Sequence, residues 1–532
     1  KYSLKHGDKV GLYLPKGVEQ AACEVALAYL NIVFLPIDVE FPVKIVEHCV
    51  SAIGLRMILT DTKEHMEDIA AVTTTIVTLE NEIPSAEIGK EALEENSETM
   101  LINTSGTTGM PKTVILTWRG IMNCINATQK LFSITSKDVA FGVTNYGHDM
   151  SIFDILGMVY IGGTTVIPNQ HNYKNPEIWI DLMNKYKVTV WISVPALLEM
   201  LLYSDLEKLP EVVGKLHRVI QGGDYLHIDI VKKFRKWNQK GKIFNVGGPT
   251  ETTMWNIYHE VSGEDIQNNN IPYGKPFPNT QYYILDKKQE LCPVGKEGQM
   301  YIAGDGVTPG YVGTGEQGKF TEYKGLRVYC SGDYGVYMRT GEILFRGRKD
   351  RQIKINGKRI ELDGIEEKLN SIKGITKGAV ICKDKRIVAY YVAEDKTEVN
   401  NIKKILSGIL PEYMIPTAFY EIKRLPYNRN KKVDYRELER MVPKTGEQEK
   451  AETELEDFVA RICENIFEVE KIGVKESFYN LGGDSVTAMR IAAIIKKEFN
   501  VHMTPYDIFE HSTIRELASY IAKLRSDINE KV

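Results

Sequence analysis

The sequence has 532 residues, and its 67 lysines and arginines nearly balance its 71 aspartates and glutamates, which gives a formal net charge of −4. This length exceeds what one hydrophobic core supports, so two or three domains are expected. A near-neutral chain lacks the broad cationic surface that a nucleic-acid backbone requires, which excludes nucleic acid as a main partner. The seven cysteines form no CxxC pair, and no uncharged apolar run reaches the length of a membrane span. The composition predicts a cytoplasmic protein with reduced thiols and no membrane partner.

The first part of the chain alternates short β-type runs with helical stretches. Val10–Leu14 and Val188–Ser193 have the composition of buried strands, whereas Val18–Leu30 and Pro176–Tyr186 have helical patterning. Alternation of this kind predicts α/β layers with a largely buried sheet.

The residue pattern of the sequence changes at two points further along the chain. Glycines punctuate short β runs within Gly298–Phe345, which predicts a β-rich lobe. A charged segment follows Arg348, and its strand candidates are Gly378–Cys382 and Ile387–Ala393. It predicts a small α+β region that ends near Met441.

A linker and a small helical domain are expected at the end of the chain. The stretch Val442–Ala451 has few bulky apolar side chains, as linkers do. Thr453 and Glu456 then form a candidate capping box at the start of a helix. One face of that helix is apolar, with Leu455, Phe458, Val459, Ile462 and Ile466.

The stretch N-T-S-G-T-T-G-M-P-K, Asn103–Lys112, directly follows an apolar pair. Its glycines allow a tight turn with free amides, and its hydroxyls and lysine offer donors to a polyphosphate. The spacing matches neither a Walker loop nor a dinucleotide-binding G-x-G-x-x-G motif. The alternative interpretation is a polar surface turn without function.

The string T-S-G-T-T-G-x-P-K resembles the signature loop of adenylate-forming enzymes, the superfamily that includes acyl-CoA ligases, luciferases and the adenylation domains of nonribosomal peptide synthetases. Further motifs follow in the order typical of that superfamily and extend the resemblance to Met441: L-P-I-D (35–38), N-V-G-G-P-T-E (245–251), Y-C-S-G-D (329–333), G-R-K-D-R-Q-I-K-I-N-G-K-R-I-E-L (347–362), L-P-E-Y-M-I-P (410–416) and N-K-K-V-D (430–434). The resemblance implies a multidomain protein: a large α/β adenylation subdomain with a β-rich lobe (1–348), a small mobile α+β subdomain (349–441), a linker (442–451) and an all-α four-helix-bundle carrier domain (452–527).

The resemblance also implies that ATP and Mg²⁺ are used to convert a carboxylate into an acyl-adenylate, with release of pyrophosphate. Glu251 would hold Mg²⁺, Thr250 would lie by the α-phosphate, Asp333 would bind the ribose hydroxyls, and Arg348 and Phe345 would lie beside the ribose. The remaining residues implied to bind ATP or AMP are Thr104, Ser105, Gly106, Thr107, Thr108, Gly109, Lys112, Asn245 and Gly248.

Lys432 matches the lysine of the family that bridges the substrate carboxylate and the α-phosphate, and so it is the implied catalytic residue. Seen alone, a lysine-rich loop is more often a solvated one. Asp350 matches the hinge position, about which the small subdomain would swing to exchange Lys432 for the Gly357–Arg359 loop during thioester formation.

The stretch Y-G-H-D-M-S-I-F-D-I resembles the synthetase motif in which an aspartate, here Asp149, binds the α-ammonium of an amino acid. The alternative is a capping or surface aspartate, an interpretation that also suits Asp154. The pocket positions implied by the family are apolar or lack a side chain: Met150, Phe153, Ile192, Ile220, Gly222, Val246, Met254 and Trp255. They favour an aliphatic substrate such as valine or isoleucine, with a smaller amino acid such as alanine, glycine or cysteine as the second choice.

Some positions depart from the family pattern. Gly247 stands where a tyrosine usually faces the adenine, Thr113 replaces a glycine, and His148 replaces a phenylalanine and could either gate the pocket or only fill space. The helix and strand that usually precede D-K-V-G-L-Y-L are short or absent, which predicts a truncated start.

Near the end of the chain, L-G-G-D-S-V places Ser485 at a helix entrance with no nearby histidine to activate it. A helix-capping serine is the simple interpretation. The surrounding sequence resembles the carrier-domain signature that accepts 4′-phosphopantetheine, so the resemblance implies modification of Ser485 by a phosphopantetheinyl transferase. Other synthetase domains and a small helper protein are further expected partners.

Three functions fit these observations. The first is an amino-acid-activating adenylation domain with its own carrier. The second is a ligase that joins an aryl or fatty acid to coenzyme A, and the third is a catalytically degenerate scaffold for the carrier domain, an alternative that Gly247 keeps open.

Overall fold

The computed structural model describes residues 4–61, 69, 75–78, 94–104, 110–204, 206–313, 319–383, 386–393, 399–427, 433–441, 451–467, 471–475, 477–478, 485–499, 501, 503 and 505–529. The chain forms two compact units. Unit 1 comprises Lys1–Leu198, Lys208–Glu361 and Gly408–Glu412, and unit 2 comprises Glu199–Glu207, Leu362–Ser407 and Tyr413–Val532. The subdomain boundary predicted after Arg348 stays a prediction. Within the described ranges, no helix is both long and apolar enough to cross a bilayer.

The first sheet of unit 1 is mixed. Its early strands are β1 (Lys9–Tyr13), β2 (Val33–Pro36), β3 (Met57–Thr60), β4 (Thr75–Thr78), β5 (Glu98–Thr104) and β6 (Lys112–Thr117), and the helices are α1 (Val18–Tyr29), α2 (Val43–Ile53) and α3 (Trp118–Phe132). The strand order is β6-β5-β2-β1-β3-β4, with β6 antiparallel to β5 and the other pairs parallel. Most residues of β1 and β2 are buried, which explains their nearly continuous apolar runs.

The second sheet carries much of the candidate site. Its strands are β7 (Val139–Gly142), β8 (Thr164–Val166), β9 (Val190–Ser193), β10 (Arg218–Gln221), β11 (Lys242–Gly247), β12 (Ile257–Glu260) and β13 (Lys275–Pro276). Strands β7 to β11 are parallel in the order β8-β7-β9-β10-β11, and β12 and β13 extend the sheet antiparallel. The carboxyl ends of neighbouring parallel strands therefore open at one edge, where ligands bind in open α/β sheets.

Helices and turns connect these strands. A π-helix, Phe153–Gly157, precedes α4 (Met158–Ile161), and the others are α5 (Pro176–Tyr186), α6 (Pro195–Tyr203), α7 (Leu209–Gly214), α8 (Ile228–Trp237) and α9 (Gly263–Asn268). The bounds of α5 are those predicted. Asn175 caps it by accepting the Glu177 N–H at 3.0 Å, and Pro176 occupies the first turn, where it sacrifices no hydrogen bond.

The predicted β-rich lobe is an antiparallel sheet. Its strands are β14 (Thr280–Leu285), β15 (Glu297–Gly304), β17 (Phe320–Tyr323), β18 (Leu326–Tyr337) and β19 (Ile343–Arg348), while the short β16 (Gly310–Tyr311) pairs with β6 instead. A hairpin of β20 (Gln352–Ile355) and β21 (Lys358–Glu361) follows. Its turn residues, Asn356 and Gly357, have φ of 49° and 78°, which is the left-handed geometry that Asn-Gly favours in two-residue hairpins.

Unit 2 contains an α+β segment and a set of helices. The α+β segment has α10 (Leu362–Asn370), β22 (Ile375–Lys383), β23 (Arg386–Ala393), α11 (Val399–Ser407), β24 (Ala418–Glu421) and α12 (Tyr435–Arg440), with the sheet order β22-β23-β24. The helices that follow are α13 (Glu454–Phe467), α14 (Ser485–Phe499), α15 (Pro505–Glu510) and α16 (Ile514–Asn529). They share an apolar core in which Val459, Cys463, Ile495, Leu517 and Ile521 are fully buried.

The capping box predicted before α13 forms only in part. The Thr453 hydroxyl accepts the Glu456 N–H at 3.0 Å, as expected. The Glu456 carboxylate accepts the Glu452 N–H at 2.6 Å and also pairs with Arg515 at 2.9 Å. The helix start is therefore stabilised by an ion pair that the local sequence pattern does not reveal. Most of the predicted linker, residues 442–450, lies outside the described residues.

Candidate active site

Asp149 lies in the turn that leads into the π-helix, and only 5% of it is exposed. Its carboxylate accepts the Thr250 hydroxyl at 2.6 Å and lies 3.0 Å from Nδ1 of His148. Nε2 of His148 in turn lies 3.1 Å from the carbonyl oxygen of Gly357. A buried carboxylate is stable only with such partners, and a bound ammonium would be a stronger one. Thr250, predicted by the α-phosphate, contacts Asp149 here.

All the residues predicted to line the amino-acid pocket are buried: Met150, Phe153, Ile192, Ile220, Gly222, Val246, Met254 and Trp255. Apart from Gly222, they all belong to one apolar cluster. A Cβ on Gly222 would lie 2.8 Å from Val246 Cγ2 and 3.6 Å from Met150 Cε, so these three residues meet.

Four further pocket positions form two neighbouring pairs. Ile192 and Ile220 are directly opposite each other on β9 and β10. The Trp255 ring lies 5.8 Å from the Phe153 ring, and its Nε1 donates to the Thr128 hydroxyl at 2.8 Å. The indole N–H is thus satisfied without a substrate, which leaves the predicted wall apolar.

The interpretation of Asp154 as a surface or capping aspartate is wrong. Asp154 is fully buried, and neither carboxylate oxygen has a hydrogen-bond partner among the described residues. Burial raises the pKa of this carboxyl well above its usual range, with the nearby Lys16 opposing the shift. A prediction from sequence places an aspartate at the surface, because a charged residue is almost never fully buried without a partner. The burial of Asp154 could therefore not be predicted from the sequence pattern.

The predicted phosphate-binding loop is described only at its ends. Thr104 ends β5 and is paired with Lys112 at the start of β6, where the Thr104 hydroxyl donates to the Lys112 carbonyl at 3.2 Å. Thr113, the departure from the family glycine, donates to Asn103 Oδ1 at 2.8 Å. Ser105, Gly106, Thr107, Thr108 and Gly109 lie outside the described residues, so their phosphate contacts stay predictions.

The residues predicted around the ribose lie together on β18 and β19. Asp333 and Arg348 are paired across the two strands and form an ion pair of 2.7 Å. Arg348 also binds Asp350 at 2.6 Å, and this contact holds the pKa of Asp350 below its usual range although burial alone would raise it. Phe345, on the same strand, is 38% exposed. The predicted hinge and ribose residues are therefore linked by one arginine.

Asn245 and Gly248 flank the end of β11. The Asn245 amide donates to the carbonyl of Pro272 at 2.9 Å. Gly248 has φ of 151°, and a Cβ there would lie 3.0 Å from the Met254 carbonyl oxygen. A side chain at this position would clash with backbone, which explains the glycine. Their contacts with a nucleotide stay predictions.

Glu251, the predicted Mg²⁺ ligand, is fully buried and held by two donors. The Arg359 guanidinium binds both of its oxygens, at 2.8 and 3.0 Å, and the Tyr311 hydroxyl donates at 2.6 Å. Burial alone would raise the pKa of Glu251, but Arg359 and Tyr311 outweigh it and hold the pKa at about 2. The carboxylate is therefore charged at neutral pH.

Mg²⁺ usually binds proteins through one or two carboxylates together with substrate phosphates. No cluster of three or more acidic, histidine or cysteine residues that could hold a metal occurs among the described residues. An ionised, buried Glu251 fits such a site once Arg359 withdraws from it.

Three contacts of the site could not be predicted from the sequence: Arg359 with Glu251, Tyr311 with Glu251, and His148 with the Gly357 carbonyl. The partners are separated by more than fifty residues, and no local pattern links them. Lys432 lies outside the described residues, and so do the side-chain surroundings of Ser485, which is the first residue of α14. Their roles stay predictions.

Comparison with known families agrees with this arrangement. A family model of AMP-binding enzymes matches residues 2–312, and a model of the phosphopantetheine attachment site matches residues 454–521.

Among curated proteins, the chain is similar to bacitracin synthase 1 of Bacillus licheniformis, with 30% identity over 97% of this chain and 10% of the synthase. It is also similar to surfactin synthase subunit 1 of Bacillus subtilis, with 30% identity over 92% of this chain and 14% of that protein. The chain thus spans a small part of these relatives.

Among solved structures, holo-PA1221, a nonribosomal peptide synthetase protein with adenylation and carrier domains bound to a vinylsulfonamide inhibitor, aligns with a TM-score of 0.80 and 22% identity. The alignment covers 97% of this chain and 88% of PA1221. The Vibrio cholerae adenylation domain AlmE, in complex with glycyl-adenosine-5′-phosphate, aligns with a TM-score of 0.71 and 19% identity over 82% of this chain and 88% of AlmE. The predicted multidomain fold class is confirmed. The chain belongs to the family of AMP-binding enzymes, and a phosphopantetheine attachment domain follows the AMP-binding region in its sequence.

Proposed function

We propose that this chain activates an amino acid as its aminoacyl-adenylate and transfers the aminoacyl group to the phosphopantetheine thiol of its own carrier domain, as one step of nonribosomal peptide synthesis. The carboxylate oxygen of the amino acid bonds to the α-phosphorus of ATP while the bond to pyrophosphate breaks. The thiolate then bonds to the carbonyl carbon while the bond to AMP breaks. The observation that carries the proposal is the buried Asp149 carboxylate beside an apolar wall, in an AMP-binding chain with a carrier domain.

Each site residue has a separate role in this proposed reaction. Asp149 pairs with the α-ammonium, and the apolar wall around Met150 and Val246 selects an aliphatic side chain such as that of valine or isoleucine. Lys432 stabilises the charge that develops between carboxylate and α-phosphate. Asp333 and Arg348 position the ribose. Glu251 would hold Mg²⁺, which would supply neutralisation of the phosphate charge.

The thiol that accepts the aminoacyl group is attached to the carrier domain. Ser485 needs only an accessible hydroxyl, because a separate phosphopantetheinyl transferase supplies the catalysis of its modification. Phosphopantetheine supplies the thiol. Once the carrier is loaded, other synthetase domains would take the aminoacyl group.

ATP–pyrophosphate exchange with pairs of acids tests the role of Asp149. We expect exchange with valine or isoleucine and about a hundredfold less, or none, with the matched acids that lack the amine, because the Asp149 carboxylate would then stay buried without its ammonium partner.

Asp149→Asn keeps the size of the side chain and should lower exchange with the amino acid by about a hundredfold or more. Asp154→Asn, which changes a buried aspartate five residues away, is the matched control and should exchange at nearly the wild-type rate. Exchange only with acids that lack the amine would indicate an acyl-CoA-type ligase, and no exchange with any acid would indicate a scaffold.

Mass spectrometry tests the role of Ser485. After incubation with a phosphopantetheinyl transferase and coenzyme A, the wild-type chain should gain the mass of one phosphopantetheine group. Ser485→Ala should gain nothing, whereas Ser519→Ala, which removes a serine on α16, should be modified like the wild type. A modification that persists in Ser485→Ala would remove Ser485 from the mechanism.

A further inference from the structure

Gly247 ends β11 in the N-V-G-G-P-T-E motif, and the space above it is filled by another residue. A Cβ on Gly247 would collide with Cε2 of Tyr273 and would lie 2.6 Å from both its Cζ and its hydroxyl oxygen. The tip of the Tyr273 ring therefore lies where a side chain of residue 247 would start. A tyrosine at position 273 thus requires the glycine at position 247.

The backbone of Tyr273 is fixed on both sides. Its N–H donates to the Ile343 carbonyl at 2.9 Å, and the Asn245 amide holds the carbonyl of Pro272 at 2.9 Å. The next residue, Gly274, has φ of 114°, and a Cβ there would collide with the backbone of Tyr258. The backbone of Tyr273 is therefore fixed, and its ring contacts those of Tyr282 and Phe345.

The ring faces the elements that carry the candidate ribose residues. Its centroid lies 5.6 Å from that of Phe345, and the two rings are tilted by 56°. Tyr282 contacts it edge-on at 6.4 Å. Asp333 and Arg348 are close enough to act on the Tyr273 hydroxyl electrostatically: burial is the main cause that raises the pKa of this hydroxyl, Asp333 raises it further, and Arg348 opposes both.

The Tyr273 ring is not simply a core side chain. It is half-buried, whereas its neighbours Tyr282 and Ile343 are 5% and 1% exposed. Part of Tyr273 therefore stays accessible, and its ring neighbour Phe345 is 38% exposed. An aromatic ring that is not fully buried, next to a carboxylate and a guanidinium, suits a base joined to a ribose and phosphates.

We infer that Tyr273 supplies the aromatic face on which the adenine of ATP stacks, and that Gly247 is present to make room for this ring. The inference rests on the proposed use of ATP. It assigns the base-binding surface to a residue that reaches the site from the loop before β13 rather than from the end of β11. The departure at position 247 then removes no binding surface, because the ring enters from position 273.

Binding of Mg-ATP to the full chain without amino acid, measured by calorimetry, tests the assignment. Tyr273→Phe keeps the ring and should bind ATP within about twofold of the wild type. Tyr273→Leu keeps apolar volume without the π face and should raise the Kd for ATP about tenfold or more, as loss of a base-stacking ring does. Binding of inorganic tripolyphosphate should be unchanged in both variants, because it has no base.

Tyr337→Leu is the matched control, since Tyr337 is half-buried and packs against the same apolar cluster as Tyr273. It should bind ATP like the wild type. If Tyr273→Leu fails to fold, the exchange variant Gly247→Tyr with Tyr273→Ala, which moves the ring to position 247, takes its place. This double variant should bind ATP within a few fold of the wild type, whereas the single variant Tyr273→Ala should not.

An unchanged Kd for ATP in a folded Tyr273→Leu or Tyr273→Ala variant would contradict the assignment, and so would an equal loss of tripolyphosphate binding. Failure of the proposed function has a different signature. In that case the wild type binds ATP but supports pyrophosphate exchange with no amino acid, and the comparison of Tyr273 variants by ATP binding still decides the assignment.

Discussion

Glu251 is bound by Arg359 in the structure, whereas the proposed function gives it a metal ion as partner. Both carboxylate oxygens are bound by the guanidinium, at 2.8 and 3.0 Å, in a fully buried position. Under the proposed function Glu251 would hold Mg²⁺, and without the metal it needs another counter-ion, because an uncompensated buried carboxylate is costly. Arg359 provides that counter-ion and thereby couples the position of the Gly357–Arg359 loop to the state of the phosphate site.

Replacement of Arg359 should therefore separate the two half-reactions. In Arg359→Leu, Glu251 loses a partner whose removal typically costs about 3–5 kcal/mol in a buried pair, so the loop position seen here is destabilised. We expect transfer of the aminoacyl group to the modified carrier to fall at least tenfold, while ATP–pyrophosphate exchange changes less than threefold. Single-turnover loading of the carrier, compared with exchange under the same conditions, measures both.

Lys354→Leu is the control for Arg359→Leu. Lys354 is exposed and lies directly opposite Arg359 on the same hairpin, so it tests for a general effect on the hairpin. It should leave both half-reactions unchanged. An equal loss of exchange and transfer in Arg359→Leu would mean that Arg359 supports the fold of the site rather than the position of the loop.

His148 illustrates what a single residue position can and cannot reveal. The sequence left open whether it gates the pocket or fills space. In the structure its two ring nitrogens lie 3.0 Å from Asp149 and 3.1 Å from the Gly357 carbonyl, so it connects the predicted ammonium site with the hairpin turn. Both partners are hydrogen-bonding groups that a phenylalanine could not engage.

At the scale of elements, the hairpin of β20 and β21 delivers these contacts. Asn356 and Gly357 adopt the left-handed turn that matches the twist of paired strands. A Cβ on Gly357 would also collide with Cγ1 of Val194, so the glycine serves both the turn and the close approach to the β9 end. The Asn-Gly pair could be read from the sequence, but its packing against Val194 could not.

Elements with strong local signals were predicted well. The helix Pro176–Tyr186 has its predicted bounds because a capping asparagine, a first-turn proline and an apolar face all agree. The strand predicted at Val188–Ser193 begins two residues later, at Val190. The Glu456 contacts were missed, because Arg515 comes from a helix about sixty residues away.

The same distinction applies to the candidate site. The resemblance names residues that share a motif, such as Asp333 and Arg348, and the structure brings this pair together on neighbouring strands. It could not name Tyr273, because the space above Gly247 is filled from a loop with no motif of its own. Long-range packing, which sequence periodicity does not encode, decides such positions.

At the scale of the whole molecule, the two compact units can be observed separately. All five tryptophans, Trp118, Trp179, Trp191, Trp237 and Trp255, belong to unit 1. Tryptophan fluorescence therefore follows the unfolding of unit 1 alone. This matters because a multidomain chain has no single free energy of unfolding, and a midpoint assigned to one unit is the meaningful quantity.

Unit 1 also contains a buried group of titratable side chains that the proposed mechanism does not use. The Lys16 ammonium donates to the Thr144 carbonyl at 2.7 Å and lies 3.9 Å from the centre of the Tyr146 ring. Burial lowers the pKa of Lys16 to about 7 and raises that of Glu24 to about 8, with attraction between the two opposing both shifts. Asp154 belongs to this group, and its carboxylate has no hydrogen-bond partner in the part of the chain that the structure describes.

The stability of unit 1 should therefore depend on pH through Asp154. Because burial raises its pKa in the folded state above the ordinary value of 3.8, the folded state holds the proton more tightly than the unfolded chain does. This contribution to stability is complete below about pH 4 and is lost as the pH rises toward the raised pKa.

Asp154→Asn has no proton to lose and gives up no hydrogen bond. Its urea midpoint, followed by tryptophan fluorescence, should equal that of the wild type near pH 4 and exceed it increasingly up to pH 8. Asp181→Asn, at a side chain that is 66% exposed, should show no such trend. A constant difference between Asp154→Asn and the wild type across this range would mean that Asp154 is ionised in the folded protein and that Lys16 compensates its charge.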